Sequence, residues 1–125
     1  MKNAPQIDGF IGAGVVLSGR LVFEGTLRID GKFQGEIDSS GTLVVGEGAF
    51  IDSMSINVDI ALISGEVRGV VEAKTKVELH SRSRVYGDIK TPVLVVYKGA
   101  FFEGYCEMSK YRQTPSNQVA IEIEG

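Results

Sequence analysis

The stretch Thr42–Met54, TLVVGEGAFIDSM, contains the pattern from which most of the chain is built. It begins with an alternating strand around Leu43 and Val45, passes through a turn with two glycines, and ends with Phe50 and a second alternation. Glycine permits sharp turns because it lacks a Cβ atom, and strict alternation buries one face of a strand. The stretch is therefore predicted to form a strand, a turn and a second strand.

Apolar residues return in four columns at an interval close to 17 residues. The column that includes Phe50 is predicted to form a ladder of core side chains, made of Val16, Phe33, Phe50, Val67, Val85 and Phe101. Two columns precede the turn, namely Leu27, Leu43, Ile60, Val77, Val93 and Ile29, Val45, Leu62, Leu79, Val95. The fourth column follows the turn and ends in Tyr105 or Cys106, after Leu21, Ile37, Met54, Val71 and Ile89.

The residue after each member of the Phe50 column is predicted to point outward. These residues are Leu17, Gln34, Ile51, Arg68, Tyr86 and Phe102. Four of the six are apolar, which indicates a lateral contact or a local bend of the strand.

The length of the repeat decides the fold class. It is too short for a helical hairpin or a propeller blade. It matches one coil of a β-solenoid, in which short strands and corners complete a circuit and the next coil stacks in parallel about 4.8 Å away. The sequence predicts an all-β solenoid of about six coils at residues 9–108, between a flexible leader at residues 1–8 and a flexible tail at residues 109–125.

Bulk composition limits the classes of function. The net charge is −3 with both signs interspersed, which argues against general binding to nucleic acid or anionic lipid. The single cysteine, Cys106, cannot form an intrachain disulfide and agrees with a reducing compartment. The first residues lack the apolar core of a signal peptide, and no apolar run approaches the ~18 residues of a membrane span. These features predict a cytoplasmic protein.

The titratable residues indicate no catalytic set. His80 is the only histidine, so the sequence lacks the histidine clusters of metal-dependent solenoid enzymes. Cys106 is predicted to be a structural thiol, because no base or cluster of cations lies beside it in sequence. Neither common phosphate-binding loop occurs, and no cofactor is predicted. The alternative is a trimeric, left-handed-type solenoid enzyme, acyltransferase or carbonic anhydrase-like, with His80 near a subunit boundary.

The two ends of the solenoid carry the functional prediction. A solenoid has an unpaired strand edge at each end, which soluble solenoids usually cap. No capping helix is indicated here, and the last coil, Pro92–Met108, is among the most apolar. Uncapped ends predict end-to-end polymerisation. The predicted interface is Phe10, Ile11, Val16 and Leu21 at the N-terminal end, and Val95, Phe101, Phe102 and Tyr105 at the C-terminal end.

Four segments resemble the bactofilins, polymer-forming cytoskeletal proteins of bacteria. They are GTLRIDGKFQGEI (Gly25–Ile37), TLVVGEGA (Thr42–Ala49), ISGEVRGVV (Ile63–Val71) and VYGDIKTPVLVV (Val85–Val96), and the resemblance extends from Asp8 to Met108. It implies a right-handed β-helix with a triangular cross-section, and non-polar filaments that assemble without nucleotide through contacts between like ends. It also implies a scaffold for cell shape, polarity or the positioning of cell-envelope proteins, beside the inner face of the membrane.

Two short segments each have more than one interpretation. Ile7, Phe10 and Ile11 either cover the open end of the core or touch a membrane. Val119–Gly125 alternates apolar and acidic residues, and it is predicted either to dock or stay disordered, or to recruit a partner as a short adaptor peptide.

Overall fold

The computed structural model describes residues 7–108, which form a β-solenoid of about six coils. Within this range all regular elements are strands and all of their pairings are parallel, so the predicted fold class is confirmed. The strands are β1 (Gly9–Ile11), β2 (Val16–Phe23), β3 (Thr26–Ile29), β4 (Lys32–Ser39), β5 (Thr42–Val45), β6 (Phe50–Ile63), β7 (Glu66–Leu79), β8 (Arg84–Lys90), β9 (Leu94–Val96) and β10 (Phe101–Glu107). The predicted tail and most of the predicted leader lie outside the described residues and stay predictions.

Each coil has three strand segments, and the segments of successive coils form three faces. Face A contains β1, β3, β5, residues 60–63 of β6, residues 76–79 of β7, and β9. Face B contains the segments that begin at residues 16, 32, 50, 66, 84 and 101. Face C contains the continuation of those strands. We number the coils 1 to 6 from the N-terminal end.

The core consists of inward side chains stacked in ladders from coil to coil. Face A contributes Leu27, Leu43, Ala61, Val77 and Leu94, and also Ile11, Ile29, Val45, Ile63, Leu79 and Val96. Face B contributes Leu17, Phe33, Ile51, Val67, Val85 and Phe102. Face C contributes Leu21, Ile37, Ile56, Val71, Ile89 and Cys106. Members in the middle coils are almost completely buried, so each coil depends on its neighbours for its core.

The predicted Phe50 ladder was wrong in half of its members. Val16, Phe50 and Phe101 lie in an outward ladder whose other members are charged, namely Lys32, Glu66 and Arg84. Val16 is 72% exposed and Phe101 is 47% exposed. Three residues predicted to point outward instead belong to the inward ladder: Leu17, Ile51 and Phe102.

Unequal corners between faces A and B cause this error. After Ile29 the corner has two residues, whereas after Val45 it has four and is closed by a hydrogen bond from the N–H of Ala49 to the C=O of Gly46, at 3.1 Å. Successive residues of the inward face B ladder are therefore separated by 16, 18, 16, 18 and 17 residues. A constant interval of 17 slips by one residue in alternate coils, and such a slip moves a side chain to the opposite face.

The other predicted columns contain the same slip. Ala61 and Ile63 occupy the inward places predicted for Ile60 and Leu62. The last coil places Leu94 and Val96 inward instead of Val93 and Val95. Met54, predicted to be core, is 75% exposed because a β-bulge moves Ile56 into its place. Of the two alternatives for the last place in that column, Cys106 is correct and Tyr105 points outward.

The corner between faces B and C depends on glycine. Gly87 has a φ of +135°, and a Cβ atom there would lie 1.9 Å from the carbonyl oxygen of Gly69 in the coil below. Gly35 and Gly104 repeat this close approach to the preceding coil, whereas coil 3 uses Ser53 and a bulge. A side chain at these corners would push neighbouring coils apart.

The corrected register predicts effects of different size for two adjacent residues. Ile51→Ala should lower the free energy of unfolding by about 2–4 kcal/mol, because it leaves a cavity in the core. Phe50→Ala should lower it by only about 1 kcal/mol, because that side chain points outward and is partly exposed. Urea unfolding of the two variants measures the difference, and a larger effect of Phe50→Ala would contradict the register.

The corner geometry predicts that Gly87→Ala destabilises the chain by about 2–4 kcal/mol, through the backbone clash and the positive φ. Gly48→Ala is the matched control, because a Cβ atom there meets nothing within 4 Å. Its effect should stay within about 0.5 kcal/mol. Thermal unfolding followed by circular dichroism compares the two variants. Equal losses of stability would contradict the requirement for glycine at this corner.

Candidate functional site

Both ends of the solenoid have unpaired strand edges. In coil 1, β1 pairs only with β3 and β2 only with β4. In coil 6, β9 pairs only with β7 and β10 only with β8. Among residues 7–108 no further strand or helix covers either edge. Each end therefore offers backbone N–H and C=O groups to another chain.

The predicted N-terminal interface residues all lie in coil 1, where they divide into two groups. Phe10 is 61% exposed and Val16 is 72% exposed, and both point outward at the edge. Ile11 is buried and Leu21 is half-buried, because they are the first members of inward ladders. Whether these four residues contact another chain stays a prediction.

Sequence reasoning missed three exposed apolar residues of this end: Val15, Leu17 and Val22. Leu17 is the first member of the inward face B ladder, yet it is 40% exposed because no coil lies beneath it. Val22 is 64% exposed on face C of the same coil. With the correct register, Leu17 would have been recognised from the sequence, because it is an apolar residue at an inward position of the first coil.

The predicted C-terminal interface residues share coil 6. Phe101 and Tyr105 point outward and are 47% and 55% exposed. Phe102 points inward and Val95 points outward, and both are half-buried. The ring of Phe101 packs on Tyr86 of coil 5, with centroids 5.6 Å apart, and the Arg68 guanidinium lies 4.6 Å from the centroid of Tyr86.

His80 belongs to a charge cluster on face A that we call the 76–80 cluster: Lys76, Glu78 and His80. The Glu78 carboxylate lies 2.8 Å from Lys76 Nζ and 2.8 Å from His80 Nε2. Burial alone would raise the pKa of Glu78, but the hydrogen bonds with His80 and Lys76 outweigh it, and the pKa is lowered. The hydrogen bond to Glu78 raises the pKa of Lys76. His80 thus shares a hydrogen bond with Glu78, and its ring lies edge-on to Tyr97.

Cys106 and Ser83 are two further residues with a nucleophilic atom. Burial raises the pKa of the Cys106 thiol, which opposes formation of a reactive thiolate. Ser83 lines a groove of about 550 Å³, but its hydroxyl oxygen is buried without a hydrogen-bond partner, and none of the described residues lining the groove is a histidine or cysteine. Residues 7–108 contain no cluster of three or more His, Cys, Asp or Glu side chains suited to a metal.

Comparison with known proteins assigns the chain to a family. Residues 9–107 match the family described as bactofilin, polymer-forming cytoskeletal. The chain belongs to the bactofilin family. The resemblance to bactofilins that the sequence indicated is confirmed. The unpaired edges thus occur in a solenoid from a polymer-forming family.

Two bactofilins of Myxococcus xanthus are similar to the chain. BacO is 36% identical over 98 residues, which are 78% of this chain and 77% of BacO. BacP is 35% identical over 113 residues, which are 89% of this chain and 47% of BacP, so the chain spans about half the length of BacP. No solved structure matches the chain. The described residues include no helix of the length and apolarity that crossing a membrane requires.

The 76–80 cluster predicts a pH-dependent contribution to stability. Because the pKa of Glu78 is lowered in the folded chain, its contribution is present above its ordinary value of 4.5 and is lost as pH falls through the lowered pKa. Glu78→Gln should be about 0.5–1 kcal/mol less stable than the wild type at pH 7, since both partners are partly exposed. This difference should shrink in urea melts as the pH falls below 4.5, and it should vanish once the pH is below the lowered pKa of Glu78.

Glu47→Gln is the control for this experiment, because Glu47 is an exposed carboxylate outside the cluster. It should change stability little at either pH. A Glu78→Gln variant that is equally destabilised at neutral and acid pH would show that packing, and not charge, explains the effect.

Proposed function

We propose that the chain is a structural scaffold that assembles end to end into filaments without nucleotide. The observation that supports this most directly is the pair of unpaired, apolar edges in coils 1 and 6 of a chain from a polymer-forming family. Stacking coil 1 or coil 6 on another molecule would continue the ladders that hold each coil to the next. Assembly thereby reuses the contacts that form the protomer.

Burial of side chains at the N-terminal end supplies much of the driving force in this proposal. Among residues 7–108, nine large apolar side chains are exposed, and six of them lie in residues 7–22: Ile7, Phe10, Val15, Val16, Leu17 and Val22. Complete burial of such a side chain is worth about 1.5–3 kcal/mol, whereas association costs about 4–15 kcal/mol in lost freedom. Apolar burial and edge hydrogen bonds together offset that cost, so nucleotide hydrolysis is not required.

We further propose that like ends meet, which makes the filament non-polar, as the family resemblance implies. In the cell such a filament would lie in the cytoplasm, along the inner face of the membrane, and would support cell shape or position cell-envelope proteins. Contact of Ile7, Phe10 and Ile11 with the membrane, and recruitment of a partner by Val119–Gly125, are separate possibilities that this proposal does not need.

Blocking one end at a time tests both parts of the proposal. Leu17→Arg places a charge where the N-terminal junction would bury it without a partner. If like ends meet, this variant should form no filaments and should instead form dimers of about twice the 13.5 kDa chain mass through its C-terminal ends. Light scattering after size exclusion gives the mass, and circular dichroism checks that the variant is folded.

Three further variants complete the experiment. Phe101→Arg should also give dimers, and Leu17→Arg combined with Phe101→Arg should give monomers. Gln34→Arg, an exposed outward position in coil 2, is the control and should still form filaments. Monomers from either single variant would indicate junctions between unlike ends. Filaments from the double variant would contradict end-to-end assembly through these residues.

A further inference from the structure

The outer surface of face A differs from the other two faces in its central coils. Val44 of coil 3 and Ile60 and Leu62 of coil 4 are adjacent, partly exposed apolar side chains on this surface. In the same two coils, face B places Phe50 beside Asp52 and Glu66, and face C carries Met54 and Val70 together with Asn57 and Glu72. Face A is the face on which the outward apolar residues of these coils, Val44, Ile60 and Leu62, are grouped without a charged residue.

Charged residues border this apolar centre in coils 2 and 5. In coil 2, Arg28 Nε lies 3.1 Å from Asp30 Oδ2. In coil 5, the 76–80 cluster joins Lys76, Glu78 and His80. The parallel register places Arg28 and Glu78 in one ladder, at the same position along the strand.

The order of the charges is reversed between these two borders. Asp30 and His80 share the next outward position, because their N–H groups make equivalent hydrogen bonds to Ile11 and Ile63 of the preceding coils. Coil 2 thus presents a base followed by an acid along the strand. Coil 5 presents an acid followed by a histidine. If a second copy is rotated by 180° about an axis parallel to the strands, the charges of its coil 5 face the charges of coil 2 in the first copy.

We propose that two copies of this chain pack laterally through face A in antiparallel orientation. A two-fold axis parallel to the strands, between coils 3 and 4, places Val44 of each copy against Leu62 of the other. The same rotation places Arg28 against Glu78. It also places Asp30 against His80 and Phe10 against Val95, so no like charges meet.

The parallel arrangement of two rods lacks this complementarity. A two-fold axis along the rod places each coil against its own copy and reverses the strand direction. Centred on the ladder of Arg28 and Glu78, it sets each of these residues against its own copy. Moved by one residue, it sets Arg28 against Asp30 but places Leu62 against Ser64, so the apolar centre is lost. Like charges placed opposite each other are unfavourable. Only the antiparallel orientation joins the apolar centre and both charged borders.

The size of face A determines when this contact is stable. Strands of about four residues and six coils about 4.8 Å apart give an area of roughly 400 Å² per partner, below the ~800 Å² of a standard stable interface. A single pair of protomers is therefore weakly bound, whereas repetition along two filaments multiplies the contact. In this respect the inference rests on the proposed function.

A charge exchange distinguishes the antiparallel contact from other arrangements. Arg28→Glu and Glu78→Arg, each alone, should reduce the fraction of paired filaments in negative-stain images at least tenfold, since they set like charges opposite each other. The variant with both changes should restore pairing to within about twofold of the wild type. A parallel contact would not be restored, because coil 2 and coil 5 would each still face their own copy.

Site-directed disulfides give the register without relying on images. Val44→Cys and Leu62→Cys chains, one carrying a size tag, are coexpressed and oxidised. Crosslinks should join 44 to 62 between chains at least tenfold more often than 44 to 44. Gln34→Cys with Asp52→Cys, neighbouring outward positions on face B, is the matched control and should give few crosslinks. Cys106 is buried, and the unchanged chain gives the background.

The outcomes separate this inference from the proposed function. A wild type without filaments would contradict end-to-end assembly, while crosslinks between 44 and 62 at high protein concentration would still support the lateral contact. Filaments that are single throughout, or crosslinks that prefer 44 to 44, would overturn the antiparallel contact and leave end-to-end assembly intact.

Discussion

The parallel hydrogen-bonded ladder between successive coils is the constraint on which the rest of the structure depends. It fixes the distance between coils at about 4.8 Å, so side chains lie directly above equivalent ones except at the bulges of β6. Inward residues must then be apolar in every coil, and the corner between faces B and C must leave room for the carbonyl oxygen of the coil below, as at Gly87 and Gly69. A ladder of this kind has no natural end. Coils 1 and 6 keep edges that only another strand can pair.

The structure and the proposed function therefore both depend on this one arrangement. The middle coils are stable because each lies between two others, and the end coils are incomplete for the same reason. Leu17 illustrates this, since it has the position of a core residue but lacks a coil beneath it. In the proposed filament a second molecule supplies that coil. The outer faces are then free to act along the whole filament, where weak contacts are multiplied.

Much of the fold could be predicted from the sequence, because every coil must bury apolar residues at equivalent positions and this requirement produces a visible repeat. The register could not, because the interval mostly alternates between 16 and 18, and its mean of 17 hides the two kinds of corner. Adjacent apolar residues such as Phe50 and Ile51 leave the alternation ambiguous. The predicted end residues do share the end coils, since coil membership tolerates a slip of one residue. The complementary charges on face A were invisible without the register, because Arg28 and Glu78 are distant in sequence and share a ladder only in the fold.

Fibre diffraction from aligned filaments tests the central claim, that the polymer continues the solenoid along its own axis. Because the strands run across the rod, end-to-end assembly predicts a strong reflection at 4.7–4.8 Å along the filament axis, from the inter-strand spacing. Assembly of rods side by side, with their axes across the filament, would move that reflection to the perpendicular direction. A reflection along the axis is the result that this account predicts, and a perpendicular one would contradict it.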